Sequence, residues 1–419
     1  MTRYSAFSLV RHALSGHRHW PQALPDVSPS ERYDVVIVGA GGHGLAAAYY
    51  LARKHGITNV AVIDKGWLGG GNVARNTTIV RSNYFHPARR AITEHALKLW
   101  EGLSQELNYN VMFSQRGIIN LAHSSGQIDD MARRGNAMSV SGVATELLSV
   151  EQIRERVPLL DTSPDARFPI KGGMIQHRAG TARHDAVAWG YARAAAQLGV
   201  HIIQNCEVTG IARSNGKVVG VETSRGKIGA ARVALAAAGG SSRLAEMVDL
   251  RLPLENHLLQ ACVTEPVKPV LDSVVTHGVH NFYISQTDKG ELVLGGDLDG
   301  YNNSTSVGDL PPLEAMVRTC LTLFPSLGQL RLMRSWGGVV DMSMDGSPIL
   351  SKTPVDGLYI NAGWCYGGFK ATPAAGDVLA ELIATDRTPA LAETFALDRF
   401  ATGRVIAEEG HGPRPWMYH

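Results

Sequence analysis

The sequence has few of the features that mark membrane, nucleic-acid-binding or secreted proteins. Its four cysteines lie far apart and form no C-x-x-C pair, which argues against both a zinc site and a disulfide framework. No stretch approaches the ~18 consecutive apolar residues of a spanning helix, and Arg11 and His12 interrupt any apolar region after Met1, so no signal peptide is indicated. The net charge of +2 gives no reason to expect nucleic acid or an anionic membrane as a partner. These absences favour a cytoplasmic protein.

Glycine, by contrast, is abundant, and its most informative positions follow the first predicted strand, Y-D-V-V-I-V. Gly39, Gly41 and Gly44 form G-x-G-x-x-G directly after this buried apolar run. The first glycine permits a tight turn, the second lets backbone approach a diphosphate, and the third lets the next helix pack on the strand. A second predicted strand, residues 59–63, ends at Asp64, about the distance downstream at which a carboxylate binds ribose hydroxyls. The pattern predicts a dinucleotide-binding unit.

Two later segments have the same α/β character. Residues 232–240 read as a buried strand that runs into two glycines, and residues 357–364 as a strand into a glycine turn, followed by a helix predicted over 374–384. Nucleotide-binding material spread over three separated segments argues against an NAD dehydrogenase with one contiguous domain. It favours a flavin protein in which distant segments converge on one FAD.

The predicted fold class is α/β plus α+β, with a Rossmann-like FAD-binding domain built from three separated segments and an antiparallel-sheet substrate domain. A hairpin over Val111–Ala122, short strands at 258–264, 282–285, 292–295 and 332–336, and a helix at 313–323 indicate the second domain. The predicted division is an N-terminal extension (1–31), the FAD-binding domain (32–108, 165–250 and 337–400), the substrate domain (109–164 and 251–336) and a C-terminal tail (401–419).

Longer runs of residues resemble the β subunits of heterotetrameric sarcosine oxidases, which are related to monomeric sarcosine oxidase and the D-amino acid oxidase group. The runs cover nearly the whole chain and comprise Tyr33–Tyr50, 70–84, 113–117, 184–189, 203–210, 336–338 and 367–370. The resemblance implies a non-covalent FAD in this subunit and oxidation of a secondary N-methyl amine there. It also implies an FMN at the boundary with a large α subunit, two small subunits, and a folate-linked site in the α subunit.

The resemblance and the glycine-rich segments together give a set of residues predicted to bind cofactor. For FAD the set is Gly39, Gly41, Gly44, Asp64, Lys65, Gly71, Asn72, Arg75, Asn76, Thr77, Val208, Gly239, Gly363, Gly367, Gly368, Phe369 and Lys370. For FMN the set is Arg183 and His184.

His184 alone would be taken for a polar residue in the first turn of a helix, beside the helix-favouring Asp185. The resemblance instead implies that it is the covalent attachment point of FMN through a ring nitrogen. Arg183 stands where other family members can have lysine, and its fixed positive charge would stabilise a reduced, anionic flavin.

The resemblance assigns substrate binding to Lys370, Arg81 and Tyr283. Lys370 follows two glycines and Phe369 in a largely apolar loop, where a lysine is usually a surface residue, and the resemblance makes it a ligand of the substrate carboxylate. Arg81 can bind the same carboxylate with its planar fork, and its alternative is a surface ion pair. Tyr283, on a predicted strand, would otherwise be a core aromatic and is implied to hydrogen bond the substrate.

The chain departs from the family pattern just before Lys370. Trp364-Cys365-Tyr366 stands where the family has a segment with glycine and threonine. The bulkier Cys365-Tyr366 pair would reshape the substrate pocket. One alternative is therefore a subunit of an N-methylglutamate dehydrogenase, which passes electrons to an acceptor other than oxygen. A second alternative, from a different functional class, is a non-catalytic FAD-binding scaffold.

Overall fold

A computed structural model describes residues 5–18, 23–277 and 279–406 of the 419-residue chain. The predicted N-terminal extension and C-terminal tail therefore lie partly outside the described residues. In the described part, no helix is both long enough and apolar enough to cross a membrane.

The described residues form the following helices and strands. The helices are α1 (Ala6–Leu14), α2 (Gly42–His55), α3 (Pro87–Glu106), α4 (Ser125–Val140), α5 (Val150–Arg156), α6 (His184–Gln197), α7 (Ser241–Glu246), α8 (Leu310–Leu323) and α9 (Gly368–Thr385). The strands up to the middle of the chain are β1 (Arg32–Val38), β2 (Val60–Ile63), β3 (Ile79–Val80), β4 (Ile118–Ala122), β5 (Glu146–Leu148), β6 (Gly172–Gln176), β7 (Gly180–Thr181), β8 (His201–Ile203), β9 (Val208–Ser214), β10 (Lys217–Thr223) and β11 (Gly226–Leu235). The later strands are β12 (Leu254–Pro266), β13 (Val274–Thr276), β14 (Tyr283–Gln286), β15 (Glu291–Leu298), β16 (Leu332–Ser343), β17 (Ile349–Lys352) and β18 (Leu358–Ala362).

The first sheet has the order β17-β18-β11-β1-β2-β8, and β10 and β9 extend from β11 as an antiparallel meander. The strands β18, β11, β1, β2 and β8 are parallel to their neighbours within this group. They come from the three separated segments, which confirms the predicted Rossmann-like architecture. One face packs on α2, α3, α6 and α9 around Tyr50, Trp100 and Leu379, so burial on both faces explains the continuous apolar run in β1.

The second sheet has the order β16-β12-β15-β14-β13-β4-β6-β5. All its pairs are antiparallel except β13 with β4. The two strands at one edge of this sheet are long, and β12 and β16 pair from Leu254 opposite Ser343 to Thr264 opposite Leu332. The short strands predicted there are therefore too short. Helices α5 and α8 contribute to the core of this half, around Ile153 and Cys320.

Three details differ from the sequence-based prediction. The hairpin predicted over Val111–Ala122 is wrong, since only Ile118–Ala122 is a strand and Ser114 instead bridges Thr181. Helix α4 was not predicted. Strand β6 lies in the segment 165–250 predicted for the FAD-binding domain, yet it pairs with β4 and β5 in the second sheet. The remaining domain boundaries stay predictions.

Candidate functional site

A cavity of about 1490 Å³ lies between the two sheets. On one side it is bounded by the carboxyl ends of parallel strands, represented by Val38 of β1, Ile63 of β2 and Asn361 of β18. On the other side it is bounded by the second sheet, represented by Tyr283 of β14 and Asp341 of β16. Ligands in open α/β sheets bind at the carboxyl ends of the strands, so this cavity is the candidate site.

The glycine turn between β1 and α2 forms one wall. Gly39 has φ +118°, and a Cβ there would lie 2.4 Å from the Ala236 carbonyl oxygen. A Cβ on Gly44 would lie 2.0 Å from the Gly39 carbonyl oxygen, so the first turn of α2 packs directly on the strand end. At Gly41, by contrast, no atom lies within 4 Å of where a Cβ would be. Gly41 is also the N-cap of α2 and forms no side-chain cap, which leaves backbone N–H groups for an anion.

Asp64 holds this turn. One carboxylate oxygen accepts a hydrogen bond from the Ala40 N–H at 2.8 Å, and the other accepts one from the Gly66 N–H at 2.8 Å. Asp64 also lines the cavity. The carboxylate therefore joins the end of β2 to the glycine turn, and its contact with a ribose stays a prediction.

The loop after β2 packs against β16. The Arg75 guanidinium donates to the Gly71 carbonyl at 2.9 Å, and the Trp336 indole donates to the Arg75 carbonyl at 2.8 Å. Asn72 donates to the Val339 carbonyl. These bonds fix the glycine-rich loop, whose residues Gly70 and Gly71 line the cavity.

The turn between β18 and α9 forms another part of the cavity wall. The buried Asp341 carboxylate accepts a hydrogen bond from the Gly363 N–H, and burial raises the pKa of Asp341 to about 6. Gly363 has φ +68°, the left-handed region that favours glycine. Helix α9 begins at Gly368, so Lys370 lies in its first turn and the prediction of a loop at this position is wrong. The Trp100 indole donates to the Lys370 carbonyl at 2.8 Å and fixes this turn.

The three predicted substrate residues meet in the cavity. Arg81 donates to the Asn83 side-chain oxygen at 2.7 Å, and Lys370 donates to the Tyr366 carbonyl. Burial lowers the pKa of Lys370 to about 8, and the nearby positive charge of Arg81 acts in the same direction. Within the described part of the chain, neither Arg81 nor Lys370 has a carboxylate partner.

Tyr283 completes this group from the second sheet. Its hydroxyl accepts a hydrogen bond from the Thr77 hydroxyl at 3.0 Å, and burial raises its pKa to about 12. Its ring occupies the space above Gly295 on the neighbouring strand, where a Cβ would lie 1.9 Å from the ring atom Cζ. The phenol is therefore neutral at physiological pH and held from two sides.

The structure brings most, but not all, of the predicted site residues to the cavity. Those that line it are Gly39, Gly41, Asp64, Lys65, Gly71, Asn72, Arg75, Asn76, Thr77, Arg81, Val208, Gly239, Tyr283, Gly368, Phe369 and Lys370. Gly44, Gly363 and Gly367 are absent from the lining; Gly44 permits close packing against backbone, and Gly363 and Gly367 permit close packing against side chains. Arg183 and His184 lie elsewhere, at the start of α6.

His184 is half-buried, and its Nδ1 atom is buried with no hydrogen-bond partner among the described residues. Burial lowers its pKa, with a smaller opposing effect from the Asp185 charge. Arg183 binds Asp185 through two nitrogens, at 2.7 and 3.2 Å. This ion pair offsets the fixed positive charge that the sequence analysis assigned to Arg183.

Sequence reasoning missed several residues of the site. His43 lies inside the glycine motif, and its Nε2 lies 2.7 Å from the Gly368 carbonyl oxygen, which links α2 to α9. Asp341 follows the W-G-G run by only a few residues. The signal that could have marked it as a site residue was an acidic side chain between apolar residues of a strand. Tyr84 and Arg89 pack behind Arg81, and no local pattern marks them.

Comparison with known proteins agrees with this geometry. A family model described as FAD dependent oxidoreductase (DAO) matches residues 34–382. The chain belongs to this family. It is also 57% identical over 416 residues to the sarcosine oxidase subunit beta of Rhizobium meliloti (strain 1021), covering 99% of this chain and 100% of that one. Its identity to the sarcosine oxidase subunit beta of Rhodobacter capsulatus is 50% over 408 residues, covering 97% and 98%.

Two solved structures share the fold of this chain. The L-proline dehydrogenase of P. horikoshii superposes with a TM-score of 0.83 at 26% identity and covers 91% of this chain and 100% of its own. The glycine oxidase of Geobacillus kaustophilus superposes with a TM-score of 0.80 at 23% identity, covering 88% and 99%.

The residues present fit the FAD of the DAO family. The open space at Gly41 and the uncapped start of α2 suit a diphosphate. The same cavity also includes Asn72 and the turn before Lys370, and these residues could border the isoalloxazine ring.

Proposed function

We propose that this chain oxidises an N-methyl amino acid of the sarcosine type with FAD, as the β subunit of a heterotetrameric enzyme. The observation that carries the proposal is the pair of cations at the end of the cavity. Arg81 and Lys370 approach one another without a carboxylate partner in the described chain, and the neutral phenol of Tyr283 lies in the same cavity. The identity to curated subunits named sarcosine oxidase subunit beta supports the same reading.

The proposed roles follow from charge and geometry. Arg81 offers a planar fork and Lys370 an ammonium group, so together they bind the substrate carboxylate. Two cations against one carboxylate leave a net positive charge, which favours the neutral amine over the protonated one. Tyr283 donates a hydrogen bond to the bound substrate. Positioning and exclusion of water therefore supply most of the acceleration expected from the protein.

FAD, when bound, would accept the two electrons that leave the substrate as one C–H bond and the N–H bond of the amine are broken and C–N becomes C=N. The substrate becomes an imine, and water then converts the imine to the amino acid and a carbon at the formaldehyde level.

We further propose that His184 carries a covalent FMN at an interface with a large α subunit that also holds folate, and that two small subunits complete the complex. The buried, unpartnered Nδ1 atom of His184 supports this reading, because a ring nitrogen without a partner is available for a bond. Two exposed apolar side chains belong to segments that adjoin the same site. Met112 follows Val111, whose carbonyl binds the Arg183 N–H, and Trp189 lies on α6.

One alternative is a subunit of an N-methylglutamate dehydrogenase that passes electrons to an acceptor other than oxygen. It is favoured by the bulky Cys365 and Tyr366, both of which line the cavity before Lys370. Cys365 also adopts φ +53°, a conformation rare for residues with a side chain. The second alternative is a scaffold that binds FAD without catalysis.

The test is anaerobic reduction of the flavin in the co-expressed complex by a panel of N-methyl amino acids that includes sarcosine and N-methylglutamate. We expect bleaching by at least one of them, and peroxide release in air separates an oxidase from a dehydrogenase. Lys370→Met should raise the substrate concentration needed for reduction, whereas the exposed control Lys289→Met should not. A flavin that no N-methyl amine reduces would leave only the scaffold.

The FMN proposal has its own experiment. We expect His184→Ala to release all FMN on acid precipitation, whereas the control His177→Ala should keep it attached. His177 is exposed and pairs with Glu146 at 2.9 Å. Covalent flavin retained by His184→Ala would exclude His184 as the attachment point.

A further inference from the structure

Tyr84 lies against two guanidinium groups behind the cavity wall. The Cζ atom of Arg81 lies 4.4 Å from the centroid of the Tyr84 ring, and the Cζ atom of Arg89 lies 4.7 Å from it. The tyrosine is 6% exposed and Arg89 is 3% exposed. A desolvated guanidinium over an aromatic face is attracted by the ring quadrupole, so the ring restricts where the Arg81 fork can lie.

The same side chain also acts on the other proposed carboxylate ligand. Burial lowers the pKa of Lys370, and the neighbouring Tyr84 side chain opposes this effect. The turn before α9 is shaped to allow the approach. A Cβ on Gly367 would lie 3.6 Å from the Tyr84 hydroxyl and 3.0 Å from an Arg89 nitrogen.

Arg89 supports the far side of this arrangement. Its guanidinium donates to the Gly346 carbonyl at 3.0 Å, while its buried Nε atom has no partner among the described residues. The groups with the largest effect on the charge of Lys370 are Tyr84, Arg81 and Arg89. Two guanidinium groups thus lie against the Tyr84 ring, and Arg89 is buried while Arg81 lines the cavity.

We propose that Tyr84 is the positioning residue for substrate carboxylate recognition, with its ring fixing the Arg81 guanidinium beside the Lys370 ammonium. This inference rests on the proposed roles of Arg81 and Lys370. Tyr84 is absent from the cavity lining, so it acts through these two residues and does not touch the substrate.

The ring and the hydroxyl are separable by substitution. Tyr84→Phe keeps the ring on Arg81 and removes the hydroxyl. Because Tyr84 raises the Lys370 pKa, loss of the hydroxyl should lower the pH above which carboxylate binding weakens. Tyr84→Leu removes the ring as well, so carboxylate binding should weaken at every pH, by roughly fivefold or more for the lost cation–π interaction.

The experiment uses the FAD-loaded complex and acetate, a carboxylate that cannot be oxidised as an amine. Acetate binding is measured from the change in flavin absorbance between pH 6.5 and 9.5 for wild type, Tyr84→Phe, Tyr84→Leu and the control Tyr301→Phe. Tyr301 is 75% exposed, and Tyr301→Phe should behave as wild type. We expect the pH profile of Tyr84→Phe to shift downward in pH, with little change in affinity at pH 6.5.

The result that overturns the inference is an acetate affinity and pH profile for Tyr84→Phe and Tyr84→Leu that match those of Tyr301→Phe. Tyr84→Phe keeps the ring volume, so a folding failure of Tyr84→Leu alone does not affect this comparison. Failure of the proposed function is distinguishable. In that case no N-methyl amino acid reduces the wild-type flavin, while acetate binding still depends on Tyr84.

Discussion

The two glycines at the start of α2 allow a matched pair of substitutions that separates flavin binding from folding. Gly41 has φ −81° and ψ 178°, an extended conformation that alanine adopts freely, and nothing lies within 4 Å of the added Cβ. The loss of unfolded-chain freedom stabilises Gly41→Ala by ~0.4–1 kcal/mol, and alanine is a slightly poorer N-cap than glycine. The free energy of unfolding should therefore stay within about 1 kcal/mol of wild type.

The same methyl group should have a large effect on FAD. It projects into the space where backbone N–H groups of α2 approach the diphosphate, so it would break about two hydrogen bonds to a charged group. Each is worth ~1.5–3 kcal/mol, and the sum corresponds to a loss of affinity of roughly 10² to 10⁴-fold. Gly44→Ala is the opposite case. Its Cβ would lie 2.0 Å from the Gly39 carbonyl oxygen, so the backbone must move and stability should fall by ~1–3 kcal/mol or more.

The assay is the ratio of FAD to protein after gel filtration, measured together with unfolding in urea in the absence of added FAD. We expect Gly41→Ala to be folded and flavin-poor, and Gly44→Ala to be destabilised. If Gly41→Ala retains one FAD per chain with wild-type affinity, the diphosphate does not pass at Gly41 and the assignment of this wall is wrong.

Three further predictions concern buried charges. Because burial lowers the pKa of Lys370 to about 8, its positive charge is lost above that pH, and acetate binding to the FAD-loaded protein should weaken as pH rises through 8. Lys370→Met should bind acetate less tightly, and its acetate affinity, measured from flavin absorbance, should not fall in this pH range. Burial lowers the pKa of His277 from 6.5 to about 3, so below pH 6.5 the unfolded chain binds a proton there that the folded chain does not. The free energy of unfolding should therefore fall on acidification below pH 6.5 by on the order of 1 kcal/mol for each pH unit. Urea unfolding at several pH values should show a weaker pH dependence of this free energy for His277→Gln, and an unchanged pH dependence would contradict the prediction. Arg399→Ala leaves the Asp345 carboxylate buried without its partner at 2.8 Å, so the free energy of unfolding should fall by ~3–5 kcal/mol, whereas the exposed pair of Arg404 with Asp398 predicts less than about 1 kcal/mol for Arg404→Ala.

The elements predicted well are those whose local pattern and tertiary environment agree. Strand β1 is buried on both faces, and a continuous apolar run is what such a strand requires. The hairpin predicted over Val111–Ala122 failed because its first half is satisfied by a distant partner. The Ser114 N–H binds the Thr181 carbonyl, and no turn pattern near Ser114 reveals that contact.

The candidate site shows the same division. The glycine turn is visible in sequence because its chemistry lies within a few neighbouring residues. Arg81, Tyr283 and Lys370 were predicted only through the family resemblance, since their convergence depends on how the two sheets face each other. Tyr84 was missed for a related reason. Its partners include Lys370, far along the chain, and an aromatic three residues after an arginine is unremarkable by itself.

The order in which the chain supplies the first sheet has a consequence for its biosynthesis. Strand β1 emerges from the ribosome early, but one of its two neighbours, β11, is made nearly two hundred residues later, and the α9 wall of the cavity comes later still. Until β11 is synthesised, nascent β1 and β2 therefore expose their apolar faces and an unpaired strand edge, a state prone to aggregation. Contacts this distant in sequence also slow folding. Truncated chains ending before Gly368 would contain the glycine turn but not the complete pocket. We therefore expect flavin to bind only at the last stage of synthesis.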